Sequence, residues 1–205
     1  MRQLFKILTS DISIPRLQKD LVDFLDAYNF ADFNHISLTG LGGEDDWHVS
    51  GKNVMWEKYR AHHDDKALEA KNIERHFSQL NKGLEGTYMG DLIQRFDQYY
   101  RWRLLKINPY TTYPIHTDAP HKNLNSTLIN KRIHIPIQTN PESFFCYVKD
   151  IPSDGIKTTI KYHHMPVGHA YEVNTSLFHT AVNYGKTPRY HMVGVRYEKK
   201  RSSRT

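Results

Sequence analysis

A chain of 205 residues, 39% of them hydrophobic, is long enough for one domain with a small helical annex and too short for two independent ones. The single cysteine, Cys146 in the apolar run FFCYV, excludes an intramolecular disulfide and points to a reducing compartment, the cytoplasm; MRQLFKILTSDIS is broken by Lys6 before it can form a signal peptide's apolar region, and no run approaches the roughly 18 apolar residues of a membrane span. The formal charge of +6 and isoelectric point of 9.2 fit either nucleic acid or a site made for anions, and much of the excess lies in the terminal KKRSSRT, which reads as a solvated tail.

Pro15 can occupy a first helical turn, and Leu17, Leu21, Phe24, Leu25 and Tyr28 follow as one apolar stripe, predicting a core-covering helix. Between residues 31 and 62, Gly40, Gly42, Gly43 and Gly51 interrupt any long element, so short strands and loops are expected. From Asp64 to Lys82 the spacing of Ala67, Ala70, Ile73, Phe77 and Leu80 predicts a second helix stopped by Gly83, and a short third is expected over 88–97. After residue 98 the texture changes to β-rich runs at 99–107, 130–137, 143–149, 157–163, 169–173, 178–182 and 189–197, separated by turn residues such as Asn108-Pro109, Asn140-Pro141 and Pro166 to Gly168. Strands at this spacing indicate a sandwich or barrel. The expected layout is a helical and mixed support region over 1–98, a β core over 99–197 and a basic tail over 198–205, forming one structural domain.

Thirteen histidines justify a search for a metal site. In YPIHTDAP, His116 and Asp118 are two apart, so on a strand or its extended exit both side chains leave one face. The same pattern occurs at His62/Asp64 and His63/Asp65, where the acids read better as caps of the second helix. What separates His116 and Asp118 is His179 on a later strand, with Arg189 following on the last. Two histidines and a carboxylate on one face of an iron ion leave three positions open for a chelating cosubstrate and dioxygen. A zinc site would call for an added general base, and no HExxH signature is present.

The pieces NPYTTYPIHTD, RIHIPI at 132–137, PVGHAYEVN at 166–174 and HTAVNYGKTPRYHMVGV from 179 to 195 resemble, in that order, the Fe(II)/2-oxoglutarate-dependent oxygenases, in particular the aspartyl/asparaginyl β-hydroxylase-like branch that includes bacterial proline hydroxylases. The resemblance covers residues 99–197. It implies a mainly β fold, a double-stranded β-helix (jelly roll, cupin-like) buttressed by the N-terminal helices. It also implies Fe(II) held by His116, Asp118 and His179, with 2-oxoglutarate and O2 as cosubstrates. Arg189 would bind the distal carboxylate of 2-oxoglutarate through its planar fork, assisted by Arg132 and His134. The implied reaction is hydroxylation of an unactivated C–H bond with release of succinate and CO2, the substrate being a small-molecule or peptidyl amino acid, with proline, aspartate and asparagine as candidates. The segment APHKNLNSTLINK after Asp118 is longer than the pattern, and the position of a hydroxyl contact used by some relatives falls near Leu105, where Arg103 could substitute. Tyr113, Trp102 and Tyr190 are pocket or core aromatics, and His121, His163, His164, His169 and His191 read as surface residues or neighbours of the ligands. Two other classes stand beside this one: a jelly-roll metal protein that does not use 2-oxoglutarate, and a module binding nucleic acid or another anion through its basic surface, a use the scattered basic residues do not favour.

Overall fold

The computed structural model describes residues 4–28, 34–42, 45–48, 55, 57–59, 73–118, 128–149 and 158–199. Its first strand, β1 (Phe5–Thr9), precedes helix α1 (Ile14–Tyr28). Pro15 sits in the first turn of α1, where the Leu17 N–H donates to the Ser13 carbonyl, and the apolar stripe buries Leu17, Leu21 and Phe24. Helix α2 (Tyr88–Arg95) is capped by Thr87, whose hydroxyl accepts from the Gly90 N–H at 3.1 Å, and by Asp20 of α1, which accepts from the Met89 N–H at 2.8 Å. One side chain thus both fixes a helix start and ties the two helices together.

The helix expected over 64–82 does not form in its described part. Residues Ile73–His76 make a single 3-10 turn and Gln79–Leu80 form a short strand, β4, paired with β3 (Thr39–Gly40); residues 64–72 lie outside the described residues. The reason is competition for backbone groups: the Phe77 carbonyl accepts from the Thr39 hydroxyl and from the Arg101 N–H, so a partner outside the segment replaces the i→i+4 ladder. Ile73 and Phe77 still bury their apolar side, against Met55 and Tyr59.

The strands after residue 98 follow the expected runs: β5 (Tyr100–Ile107), β7 (Leu128–Gln138), β8 (Ser143–Lys149), β9 (Thr159–His164), β10 (Ala170–Asn174), β11 (His179–Asn183) and β12 (Arg189–Lys199), with a two-residue strand β6 (Thr111–Thr112) added. They form two antiparallel sheets. One has the order β1-β10-β7-β12-β5-β2, where β2 is His35–Ser37, and the other β6-β11-β8-β9. Residues before 98, expected to be a helical and mixed support region, supply both edges of the large sheet. Strand β7 begins two residues earlier than expected, drawing Leu128 and Ile129 out of the long polar segment to pair with Lys199 and Glu198.

Alternation along the strands sorts the chemistry. On β7, Ile133, Ile135 and Ile137 face the helices with Leu21, Phe24, Leu92 and Met192, whereas Arg132 and His134 face the small sheet. Trp102, 1% exposed, belongs to the helix-side core, and Tyr190 packs against it. A Cβ at Gly194 would stand 2.8 Å from the Trp102 indole, so this central position of β12 has room for no side chain.

On the helix side, Glu172 gathers three partners: the Tyr99 hydroxyl donates to it, Arg196 contacts it at 2.6 Å and Lys131 at 3.5 Å. Burial pushes its carboxyl up, but these partners outweigh burial and hold the pKa below its usual 4.5. A depressed native pKa gives stability that is present above the unfolded value and lost as the pH falls through the native one. Glu172→Gln is therefore expected to cost about 1–3 kcal/mol at pH 7. The deficit should shrink between pH 5 and 3 in urea unfolding, and a deficit constant with pH would show that the charge contributes nothing.

Candidate metal centre and cavity

His116 and His179 form an isolated antiparallel bridge, each donating its N–H to the other's carbonyl at 3.0 and 2.9 Å. The Asp118 N–H donates to the Thr175 carbonyl and Asn130 donates to the Asp118 carbonyl, both at 2.8 Å, so the backbone around the acid is stitched down on two sides. The three side chains meet: ligand atoms of His116, Asp118 and His179 all lie within 4.8 Å of one another.

The hydrogen bonds behind the rings set their tautomers. His116 Nδ1 lies 2.8 Å from the Pro114 carbonyl and His179 Nδ1 lies 2.9 Å from the Leu177 carbonyl. A carbonyl only accepts, so each Nδ1 carries a proton, and in the neutral ring Nε2 is the nitrogen left with a lone pair. Those two Nε2 atoms face Asp118, at 3.5 Å from Oδ1 and 3.8 Å from Oδ2. Phe145 stacks on the His179 ring at 5.4 Å, fixing its plane.

Charge around the acid is uneven. Arg132 Nε donates to Asp118 Oδ2 at 2.6 Å. Burial alone would raise the Asp118 carboxyl, but the Arg132 guanidinium and both histidines hold it well below the usual range, so it is an anion throughout neutral pH. The bond to Asp118 pulls His116 up against the effect of burial, while burial pushes His179 down.

These groups open onto a cavity of about 240 Å3 between the sheets. Every residue expected at the site lines it: His116, Asp118 and His179, then Arg132 and His134 from β7, Arg189 from β12, Arg103 from β5, and Tyr113, which is 43% exposed at the mouth. Arg189 is only 3% exposed and donates from Nε to His191 Nε2 at 2.9 Å. Burial pushes the Arg189 guanidinium down to about 10, which leaves it charged, while burial and neighbouring Arg189 hold both His134 and His191 neutral.

The lining also includes residues outside the expected set, among them His191 and Arg101. His191, expected at the surface or beside the ligands, is buried beneath Arg189. Arg101 lines the cavity two residues before Arg103, and it takes a φ of +49° where the register of β5 to β12 slips between Val193 and Val195. The signal for it was the Arg-x-Arg spacing of YRWR. Among the other histidines, His163 stacks on Phe5, His164 donates to the Ser143 carbonyl and His169 to the Val167 carbonyl. His62, His63, His121, most of the segment after Asp118, and the basic tail beyond Lys199 lie outside the described residues.

The buried polar atoms without hydrogen-bond partners include Arg132 Nη1, both ring nitrogens of His134, Arg189 Nη1 and Arg103 Nε. They belong to one cavity wall. Guanidinium N–H groups and an imidazole gathered at this density fit an anion bound beside a metal held by the two free Nε2 atoms and Asp118.

No protein-family model and no curated protein matches the chain. Solved structures do. HygX from Streptomyces hygroscopicus, solved with nickel and 2-oxoglutarate bound, aligns over 97% of this chain and 83% of its own with a TM-score of 0.50 at 11% identity. AviO1 from Streptomyces viridochromogenes Tue57 aligns over 98% and 91%, with a TM-score of 0.49 at 13% identity. The non-heme alpha ketoglutarate dependent carbocyclase SnoK from nogalamycin biosynthesis aligns over 95% and 79%, with a TM-score of 0.49 at 14% identity. The likeness to HygX, together with the two facing antiparallel sheets, establishes the fold as a helix-buttressed double-stranded β-helix. No helix of the described residues is long and apolar enough to cross a membrane.

Proposed function

We propose that the chain is an Fe(II)- and 2-oxoglutarate-dependent dioxygenase, with His116, Asp118 and His179 as metal ligands and Arg189, Arg132 and His134 serving the cosubstrate. The observation that carries this reading is the meeting of two histidines with free Nε2 atoms and one carboxylate at a cavity whose wall holds buried, partnerless donors. A chelating dicarboxylate needs both features at once. The nickel and 2-oxoglutarate in HygX, on the same fold, support it. Four arginines, Arg101, Arg103, Arg132 and Arg189, converge inside one cavity, which favours a small anion over a nucleic-acid surface.

When bound, iron and 2-oxoglutarate supply an oxidant able to hydroxylate an unactivated C–H bond, the cosubstrate leaving as succinate and CO2. The chain's own residues hold and aim. Pro114 and Leu177 orient the imidazoles, Arg132 fixes the Asp118 carboxylate, and Arg189, itself positioned by His191, receives the distal carboxylate. The two sheets keep water away from the reacting atoms. The sequence pieces favour the aspartyl/asparaginyl β-hydroxylase-like branch and hence an amino-acid substrate, free or peptidyl. Asn34, which lines the cavity, supports the N-terminal region as part of the substrate wall.

Anaerobic titration of the metal-free protein with Fe(II) and 2-oxoglutarate tests the reading. A visible metal-to-ligand charge-transfer band is expected, absent in His179→Ala. No band from folded, iron-loaded protein would remove 2-oxoglutarate from the chemistry.

A further inference from the structure

The cavity holds more positive charge than a metal and its cosubstrate explain. Four arginines and Lys106 line it against the single carboxylate of Asp118. On the reading above, a ferrous ion and a 2-oxoglutarate dianion cancel one another. Arg132 is engaged by Asp118, Arg101 by Glu74, and Arg189 is assigned to the cosubstrate. Arg103 and Lys106 remain, and of the two Arg103 has a buried donor, its Nε, without a partner. An arginine in this state costs stability unless an anion meets it.

Register separates Arg103 from Arg189, which receives the distal carboxylate of the cosubstrate. Val193 of β12 pairs with Arg103 on one side and with His134 on the other, so these two stand on one level of the sheet, about 10 Å apart. Arg189 lies four residues further along β12, a distance of roughly 13 Å. A molecule of 2-oxoglutarate reaching from the metal to Arg189 leaves Arg103 for something else. Tyr113 and Asn34 line the same cavity and add an aromatic face and an amide to it.

We propose that Arg103 docks an oxyanion, a carboxylate or a phosphate, carried by the substrate, so that the substrate is itself an acid. The guanidinium grips that group while the C–H bond to be attacked is presented to the metal face.

The test uses protein loaded anaerobically with Fe(II) and saturating 2-oxoglutarate. Small carboxylic acids and their matched amides, from propionate and propionamide to N-acetyl-L-alanine and its amide, are titrated by calorimetry, with inorganic phosphate as a separate arm, while the charge-transfer band is monitored. The acids or phosphate should bind and shift the band, and the amides should bind about tenfold more weakly or worse. Whichever arm binds identifies the oxyanion. Arg103→Gln should weaken the anion by a similar factor, Arg103→Lys should retain part of the binding, and 2-oxoglutarate affinity should stay within about twofold in both. Equal binding of acids and amides, or no binding of any probe with the band intact, overturns the proposal and leaves the metal reading standing. Loss of 2-oxoglutarate affinity in Arg103→Gln overturns it by moving Arg103 to the cosubstrate. Absence of the band in the parent protein defeats the reading on which the proposal rests.

Discussion

Asp118→Ala is expected to lose the metal and to destabilise the fold together. As a ligand, Asp118 supplies the only carboxylate among the residues lining the cavity, so metal affinity should fall by more than the roughly 10–100-fold that losing a hydrogen bond behind a ligand costs. As a counter-charge, it is the 2.6 Å partner of Arg132, whose Nη1 already has none. Removing one member of such a buried pair leaves the other charge uncompensated, at about 3–5 kcal/mol. The double variant Asp118→Ala/Arg132→Leu should recover most of the stability and none of the metal binding. Urea unfolding of the metal-free proteins beside metal titration of each separates the two losses. Metal-free Asp118→Ala as stable as its parent would mean that the pair carries no structural weight.

Arg189→Leu should behave in the opposite way. Its guanidinium is to hold a distant carboxylate with two parallel charge-assisted hydrogen bonds of about 1.5 kcal/mol each, so 2-oxoglutarate affinity is expected to drop about a hundredfold. Stability should stay within about 1 kcal/mol of the parent, because two effects oppose. The leucine removes a buried guanidinium with an unsatisfied Nη1, and His191 loses the donor at 2.9 Å from its Nε2. Arg189→Lys keeps the charge without the fork and should fall between the two in affinity. The charge-transfer titration and thermal unfolding check both halves, and unchanged 2-oxoglutarate affinity in Arg189→Leu would take this residue out of the cosubstrate site.

The C-terminal strands were legible because each is a short β-rich run closed by turn residues, and the ligand positions because His-x-Asp at the mouth of one strand was followed by a histidine on a later one. Elements whose partners are remote were hidden. FKILT becomes β1 only by pairing with residues 170–173, whereas β2 falls where short strands were expected and owes to residues 103–105 only its place in the sheet. The period of Ile73, Phe77 and Leu80 suits a helix, yet the tertiary partners Thr39 and Arg101 take the backbone groups that a helix would need. Arg101 was legible in principle, since YRWR puts it two residues before Arg103 and so on the same strand face. His191 was concealed by its partner, since nothing local distinguishes a histidine that supports an arginine from one facing solvent.

Strand β12 joins β7 to β5 in the middle of the large sheet, although it is the last of the described strands in the chain. A ribosome therefore delivers the keystone late. Until residues 189–199 emerge, the large sheet exists only as two halves, β1-β10-β7 and β5-β2, each with an open inner edge that another chain could occupy. Arg189 and His191 arrive with the same strand, so the order of synthesis keeps their end of the cavity unassembled until the rest of the barrel is waiting for it.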